Sequence, residues 1–247
     1  MFSSLIVTEA PDTVQVRLHR PDSRNAIDIT MTAELNTICD LLEAQPRVLI
    51  LTGGEGVFAS GVDIRQLRDR THLDGLRGSN ARLFMRILRL PMPTIAVLDG
   101  YAIGGGAELA YACDFRIGSP LARFANPETS LGVIAGAGAS WRLAALVGEP
   151  TAKEMLFTGR SLDADEALAL RLLNRIAARE HLLAVAQEIV GTILQQSPLA
   201  LRLSKSAFHA PPDAHPLVDE LSQALVLDSE EKRKRMDSFL RRSKKRG

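Results

Sequence analysis

"PTIAVLDGYAIGGGAELAYACD", residues 93–114, decides how this chain is read. Within Thr94 to Gly100, Ile95 to Leu98 is a continuous apolar run that stops at Asp99 and a glycine, the pattern of a strand buried on both faces. Gly104, Gly105 and Gly106 then stand directly before a segment of helical composition, although each glycine costs about 1 kcal/mol relative to alanine inside a helix. Two readings of these glycines stay open at this level. Either they allow a tight turn and close packing of helix on strand, or they bare the backbone N–H groups of Gly105 and Gly106 to a ligand. Glu108 stands alone among Ala107, Leu109 and Ala110. It is an edge acid paired with an arginine, or a buried acid whose pKa desolvation raises into the range useful for proton transfer.

Working outward, "VLIL" (48–51) runs into "TGGEG" (52–56), a second strand entering a glycine loop. Strand, helix and strand in alternation imply an α/β fold with mainly parallel pairing. "LIVTEA" and "VQVRLHR" flank the Pro11–Asp12 turn and predict a hairpin. Met31, Leu35, Ile38 and Leu42 predict an amphipathic helix from Asp28 to about Gln45, and Leu73, Leu76, Leu83, Ile87 and Leu90 predict one helix stopped by Pro91. Helices are expected over 138–147, 151–158, 163–172, 180–195 and 198–208, with a short strand in "LLNRI". Pro211–Pro212 reads as a linker before two more helices. The division expected is an α/β core over 1–195 and a helical region over 196–247.

Composition narrows the class. At 247 residues, 46% hydrophobic, 24% charged and with a net charge of +1, the chain reads as an ordinary globular protein, with no overall field that calls for nucleic acid. Cys39 and Cys113 form neither a CxxC pair nor a disulfide framework, which fits a reducing, cytoplasmic setting. "MFSSLIVTEAPDTVQVRL" lacks a basic segment before its apolar run, so no signal peptide is expected. Thr94 to Cys113 approaches membrane-span length, but it contains Asp99, Glu108 and several glycines and reads as buried core. The five histidines show no metal-ligand spacing, so no metal is expected. GxGxxG, P-loop and GxSxG patterns are absent. The final segment "EEKRKRMDSFLRRSKKRG" holds nine basic residues against three acidic ones; it is a solvated helix end or a contact for phosphates on a nucleotide-bearing ligand or nucleic acid.

Other positions carry candidate chemistry. In "FASGVDIRQL", Asp63 and Gln66 form a plausible capping pair, which leaves N–H groups near Val62 unsatisfied at a helix start. Together with the N–H of Gly105 or Gly106 they would form an oxyanion hole; tight turns and packing account for the same spacing. In "FANPETSLG", Asn126 reads as N-cap, Pro127 as the first helical residue and Glu128 as an acid in the first turn, a favourable place for a carboxylate with or without a chemical role.

"LHRPDSRNAID", "FASGVDIRQL", "PTIAVLDGYAIGGGAELAYACDFRI", "ARFANPETSLGVIAGAGASWRL" and "LFTGRSLDADEALALRLLN" occur in this order, and together the chain resembles the crotonase, or enoyl-CoA hydratase/isomerase, family from about residue 5 to 240. The resemblance implies a spiral of repeated ββα units, with a helical C-terminal region that assembles trimers and often hexamers. It implies that Val62 and Gly105 donate the two N–H groups to an acyl-CoA thioester oxygen, that Glu108 and Glu128 are the acid–base pair of a hydratase, and that Gly136 lines the same pocket. CoA is implied along Arg24, Ala26, Ser60, Asp63 and Ile64, entering as part of the substrate with no separate cofactor. Isomerases of the family often use one acid, so two glutamates favour hydration of a trans-2-enoyl-CoA. Double-bond isomerisation, decarboxylation, hydrolysis, or CoA or nucleic-acid binding with little catalysis are the alternatives. This chain departs from the family at Val62, commonly alanine, at Trp141, often glutamine, and in its ending "FLRRSKKRG".

Overall fold

Alternating burial builds the first hairpin: β1 (Leu5–Glu9) and β2 (Thr13–Leu18) pair antiparallel, and Val14, Val16 and Leu18 of β2 are buried. The computed structural model describes residues 2–243. Helix α1 (Ile29–Ala44) follows, capped by Asp28, whose side chain accepts from Met31 N at 2.8 Å. Its predicted apolar stripe of Met31, Leu35, Ile38 and Leu42 is buried.

The chain then repeats one step three times. It passes from β3 (Val48–Thr52) to β4 (Gly56–Ala59), from β5 (Thr94–Leu98) to β6 (Gly100–Ile103), and from β7 (Phe115–Gly118) to β8 (Arg123–Ala125). The first strand of each pair joins one sheet and the second joins another. The larger sheet, closed by β9 (Arg175–Ile176), has the order β1-β2-β3-β5-β7-β9, and the smaller has β4-β6-β8. Beyond the hairpin the pairings between these strands are parallel. This is the spiral of ββα units expected. Both β3 and β5 are buried almost throughout, which explains their unbroken apolar runs.

Helices occupy the gaps between strand pairs. Between β4 and β5 lie α2 (Ile64–Arg68), α3 (His72–Arg77) and α4 (Ser79–Leu88). One continuous helix over 73–90 was expected here. The chain breaks it at Gly78, which takes φ 57° as the C-cap of α3, a left-handed conformation that ends a helix without steric cost only at glycine. Between β6 and β7 lies α5 (Gly105–Tyr111). Arg116, 2% exposed, fixes the end of α5: its guanidinium donates to the carbonyls of Cys113 (2.6 Å) and Leu172 (2.7 Å). Burial lowers its pKa to about 10.

After β8 come a π-helical turn over Ala139–Leu143, α6 (Ala144–Val147), α7 (Glu149–Thr158), α8 (Ala164–Ala169) and α9 (Leu182–Leu194). The helix expected over 163–172 is thus shorter than its apolar pattern, and Arg171 turns out of it with φ 64°. Within α9 the chain divides into two units, at Val190 and Gly191. The second unit contains α10 (Pro198–Phe208), α11 (Leu217–Leu227) and α12 (Glu230–Ser243). Ser197 caps α10 and donates its hydroxyl proton to Glu231 at 2.8 Å, while Arg235 donates to the carbonyls of Gln195 and Gln196. Among the described residues no helix is long and apolar enough to cross a membrane.

Candidate active site

Each of the three glycines has its own physical reason. Gly104 lies at φ 52° and ψ −126°, and a Cβ there would stand 3.0 Å from Glu128 Oε1. A Cβ on Gly105 would meet Val62 Cγ2 at 2.9 Å, and one on Gly106 would stand 2.2 Å from the carbonyl oxygen of Ala59. Gly106 therefore serves close helix–strand packing rather than access to a ligand. Gly104 and Gly105 keep the space between α5, Val62 and Glu128 open.

Backbone pairing aims Val62. Ile27 N donates to Gly61 O at 2.7 Å, and Asp63 N donates to Ile27 O at 3.0 Å. This parallel bridge uses the peptide groups on either side of Val62 and turns its own N–H to the opposite side. Neither this N–H nor that of Gly105 has an acceptor among the described residues. The Gly105 N–H belongs to the first residue of α5, where a helix leaves its donors unsatisfied.

Both glutamates line one cavity of about 650 Å³ with Val62, Gly105 and Gly136. Glu108 is 4% exposed, and its Oε1 accepts from the N–H groups of Ala137 (2.7 Å) and Ala139 (3.0 Å). Burial outweighs these two donors, and with the charge of Glu128 it pushes the Glu108 pKa up to about 7. The arginine partner of the alternative reading is absent from its hydrogen bonds. Burial also raises the pKa of Glu128. Its Oε1 lies 3.4 Å from Asn126 Nδ2, and its Oε2 is buried without a hydrogen-bond partner.

Two local expectations are corrected. The cap of α2 is Asp63 alone, which accepts from Arg65 N; Gln66 instead reaches across to accept from Ile29 N at 2.9 Å. Asn126 is not a helix cap. The turn over Glu128–Leu131 is 3₁₀ with Pro127 before it, and the Asn126 side chain points inward, taking the Tyr111 hydroxyl proton at 3.1 Å.

The positions expected along CoA divide. Ser60 and Ile64 line the cavity, whereas Arg24, Ala26 and Asp63 do not. Ser60 N donates to Arg24 O at 3.1 Å, so the 24–27 segment runs beside the cavity edge. Asp63 is held by Arg20, at 3.3 Å. Arg20 and Asn25 were not singled out by sequence, yet they shape this segment. The Arg20 guanidinium donates to Ala26 O at 2.5 Å, and buried Asn25 accepts from Arg20 N and donates to Phe58 O. Leu67, Thr71 and Asn80 add a wall from the α2–α4 region. Trp141, half-exposed, borders a smaller cavity of about 90 Å³ that adjoins the first at Glu108 and Gly136. Among the described residues no cluster of His, Cys, Asp and Glu side chains forms a metal-binding group. The end of the basic tail, residues 244–247, lies outside the described residues.

The enoyl-CoA hydratase/isomerase family model matches residues 9–245. The chain belongs to the enoyl-CoA hydratase/isomerase family. Among curated relatives, it is 35% identical over 213 residues to a short-chain-enoyl-CoA hydratase of Clostridium acetobutylicum, covering 84% of this chain and 82% of the relative. It is 34% identical over 211 residues to a crotonyl-CoA hydratase of Syntrophomonas wolfei, covering 83% and 81%. Its fold is similar to that of an enoyl-CoA hydratase from Bacillus anthracis, with a TM-score of 0.90 and 29% identity over 97% of both chains.

Proposed function

We propose that this protein is an enoyl-CoA hydratase, a lyase that adds water across the double bond of a trans-2-enoyl-CoA to give a 3-hydroxyacyl-CoA. One observation carries the reading: a buried carboxyl, a half-buried carboxyl and two unpartnered backbone N–H groups border the same cavity. The N–H groups of Val62 and Gly105 receive the thioester oxygen and stabilise it as charge develops on the enolate. The charge of Glu128 helps raise the Glu108 pKa, so the pair loses its protons in sequence and carries one proton at intermediate pH. Hydration uses that state, with one carboxylate to take a proton from water and one acid to protonate Cα.

Glu108 is assigned to water, because two N–H donors orient its carboxylate oxygen. Glu128 is assigned to Cα, because its Oε2 has no hydrogen-bond partner among the described residues and so is left to the substrate. Gly136 borders the acyl group. The 24–27 segment with Ser60, Asp63 and Ile64 supports the CoA moiety through backbone groups. CoA enters with the substrate, and the chemistry needs no metal or further cofactor.

The same reading gives a cytoplasmic enzyme of fatty-acid metabolism, with neither membrane nor nucleic acid as partner. Leu217, Leu221 and Leu225 repeat every four residues on α11 and are exposed, an apolar stripe suited to burial against another copy. It supports a homotrimer, or a hexamer formed as a dimer of trimers, with 196–247 as the assembly region.

The test is hydration of crotonyl-CoA, followed by loss of the enoyl absorbance with the product identified by mass, in wild type and Glu128→Gln. Formation of 3-hydroxybutyryl-CoA that falls about 100-fold in the variant supports the reading. A shifted double bond would instead make the protein an isomerase, and no turnover of any enoyl-CoA by folded protein would overturn hydration.

A further inference from the structure

Asn126 is 1% exposed and follows β8 directly. Its amide has one sense. Nδ2 lies 3.5 Å from Gly104 O and 3.4 Å from Glu128 Oε1, while Oδ1 accepts the Tyr111 hydroxyl proton at 3.1 Å. A carbonyl only accepts, so Gly104 O fixes the NH₂ end toward the carboxyl. Tyr111 is equally fixed: it is 1% exposed and stacked on Phe124, with ring centroids 6.1 Å apart. Tyr111 stands on α5, the helix that carries Glu108. The helix that holds one acid thereby reaches, through Tyr111 and Asn126, to the other.

We propose that Asn126, oriented by Tyr111, is a positioning residue for Glu128: it holds Oε1 against Gly104 and keeps the carboxyl able to release its proton. This rests on the hydratase reading for the use of the proton, not for the contacts themselves. Glu128 Oε2 is enclosed without a partner. Against the burial that favours the neutral acid stand the residue's own backbone N–H and the Asn126 amide. The titratable groups of α5 that feel its charge are Glu108 and Tyr111. On α7, which packs beside the Glu128 turn, the charged side chains are paired at the surface, Lys153 with Glu149 and Glu154 with Arg160. No cation is among the causes that set the acidity of Glu128, so removal of the amide should be felt in full.

The experiment is an infrared titration of the Glu128 carboxyl, identified by subtraction of Glu128→Gln, in wild type, Asn126→Leu and Tyr111→Phe. It needs no substrate. Loss of the donor in Asn126→Leu is expected to raise the Glu128 pKa by about one pH unit, and Tyr111→Phe to raise it by less. On crotonyl-CoA, kcat is expected to fall about tenfold in Asn126→Leu while KM stays within twofold. An unchanged titration in folded Asn126→Leu overturns the proposal even if stability falls. Should that variant not fold, Tyr111→Phe, which removes one oxygen, decides alone, and an unmoved titration again overturns it. A shifted titration in a protein that does not hydrate crotonyl-CoA would overturn the hydratase reading and leave the positioning contact standing.

Discussion

Glu108 on α5 accepts a 2.7 Å hydrogen bond from the backbone N–H of Ala137, a group contributed by a loop that follows it in sequence by 29 residues. The contact ties the helix that begins at Gly105 to the segment containing Gly136, and so fixes two sides of the cavity to each other. It also makes Glu108 an acid that is hydrogen-bonded yet held near neutrality by burial.

Stability should therefore depend on pH through Glu108. A folded pKa of about 7 against the ordinary glutamate value of 4.5 means that the folded state prefers the protonated acid. That contribution is complete below the unfolded value and is lost as pH rises through about 7, a cost of about 3 kcal/mol. Glu108→Gln keeps an oxygen for Ala137 and Ala139 but does not ionise. Denaturant unfolding should show the variant gaining on wild type between pH 5 and pH 8; a constant difference would contradict the burial argument.

Gly105→Ala and Gly106→Ala should separate activity from stability. The first places a Cβ 2.9 Å from Val62 Cγ2 and the second places one 2.2 Å from a backbone oxygen of Ala59. Gly106→Ala is expected to destabilise the fold by about 1–3 kcal/mol or more. Gly105→Ala is expected to leave the far-ultraviolet dichroism intact and lower kcat/KM on crotonyl-CoA by at least about tenfold. Adding Val62→Ala removes the clashing methyl, so the double variant should recover part of the loss.

The two acids should differ in what they exchange. If Glu128 serves Cα, Glu128→Gln abolishes deuterium exchange from solvent into the α-position of a bound saturated acyl-CoA, whereas Glu108→Gln retains it. Mass spectrometry of the recovered thioester reads the outcome directly. Equal loss in both variants would mean that the two carboxyls share the step.

Arg116→Met should be among the most damaging substitutions away from the cavity. It leaves the carbonyls of Cys113 and Leu172 without their donor in a fully buried place, and a loss of about 3 kcal/mol is expected. Thermal unfolding measures it.

If α11 carries the proposed assembly face, Leu221→Glu should weaken self-association. Leu221 is 58% exposed in the single chain, so the charge costs the monomer little and the assembly much. Analytical ultracentrifugation should show smaller species than wild type, with the far-ultraviolet spectrum unchanged.

Much of this was legible because it is local. The apolar runs of β3 and β5, the stripe on α1 and its Asp28 cap follow from periodicity and short-range hydrogen bonding. The break at Gly78 was not legible, because the leucines on either side keep helical spacing and only the backbone angle at one residue ends the helix. Gln66 has the right separation from Asp63 for a capping box, but the N–H of Ile29 competes for it from 37 residues away. Asn126 has the composition of a cap, and its fate depends on the Tyr111 hydroxyl behind it.

The sequence by itself determined the repeated strand–glycine–helix unit, the family and the presence of two acids, since each is written in the order and spacing of neighbouring residues. The tertiary structure decided which glycine serves packing and which keeps the cavity open, which N–H groups lack acceptors, and how acidic Glu108 and Glu128 are. Those properties come from desolvation and from groups brought in by distant segments, the Ala59 carbonyl beneath Gly106 and the Ala137 N–H above Glu108, and they exist only once the chain has closed around them.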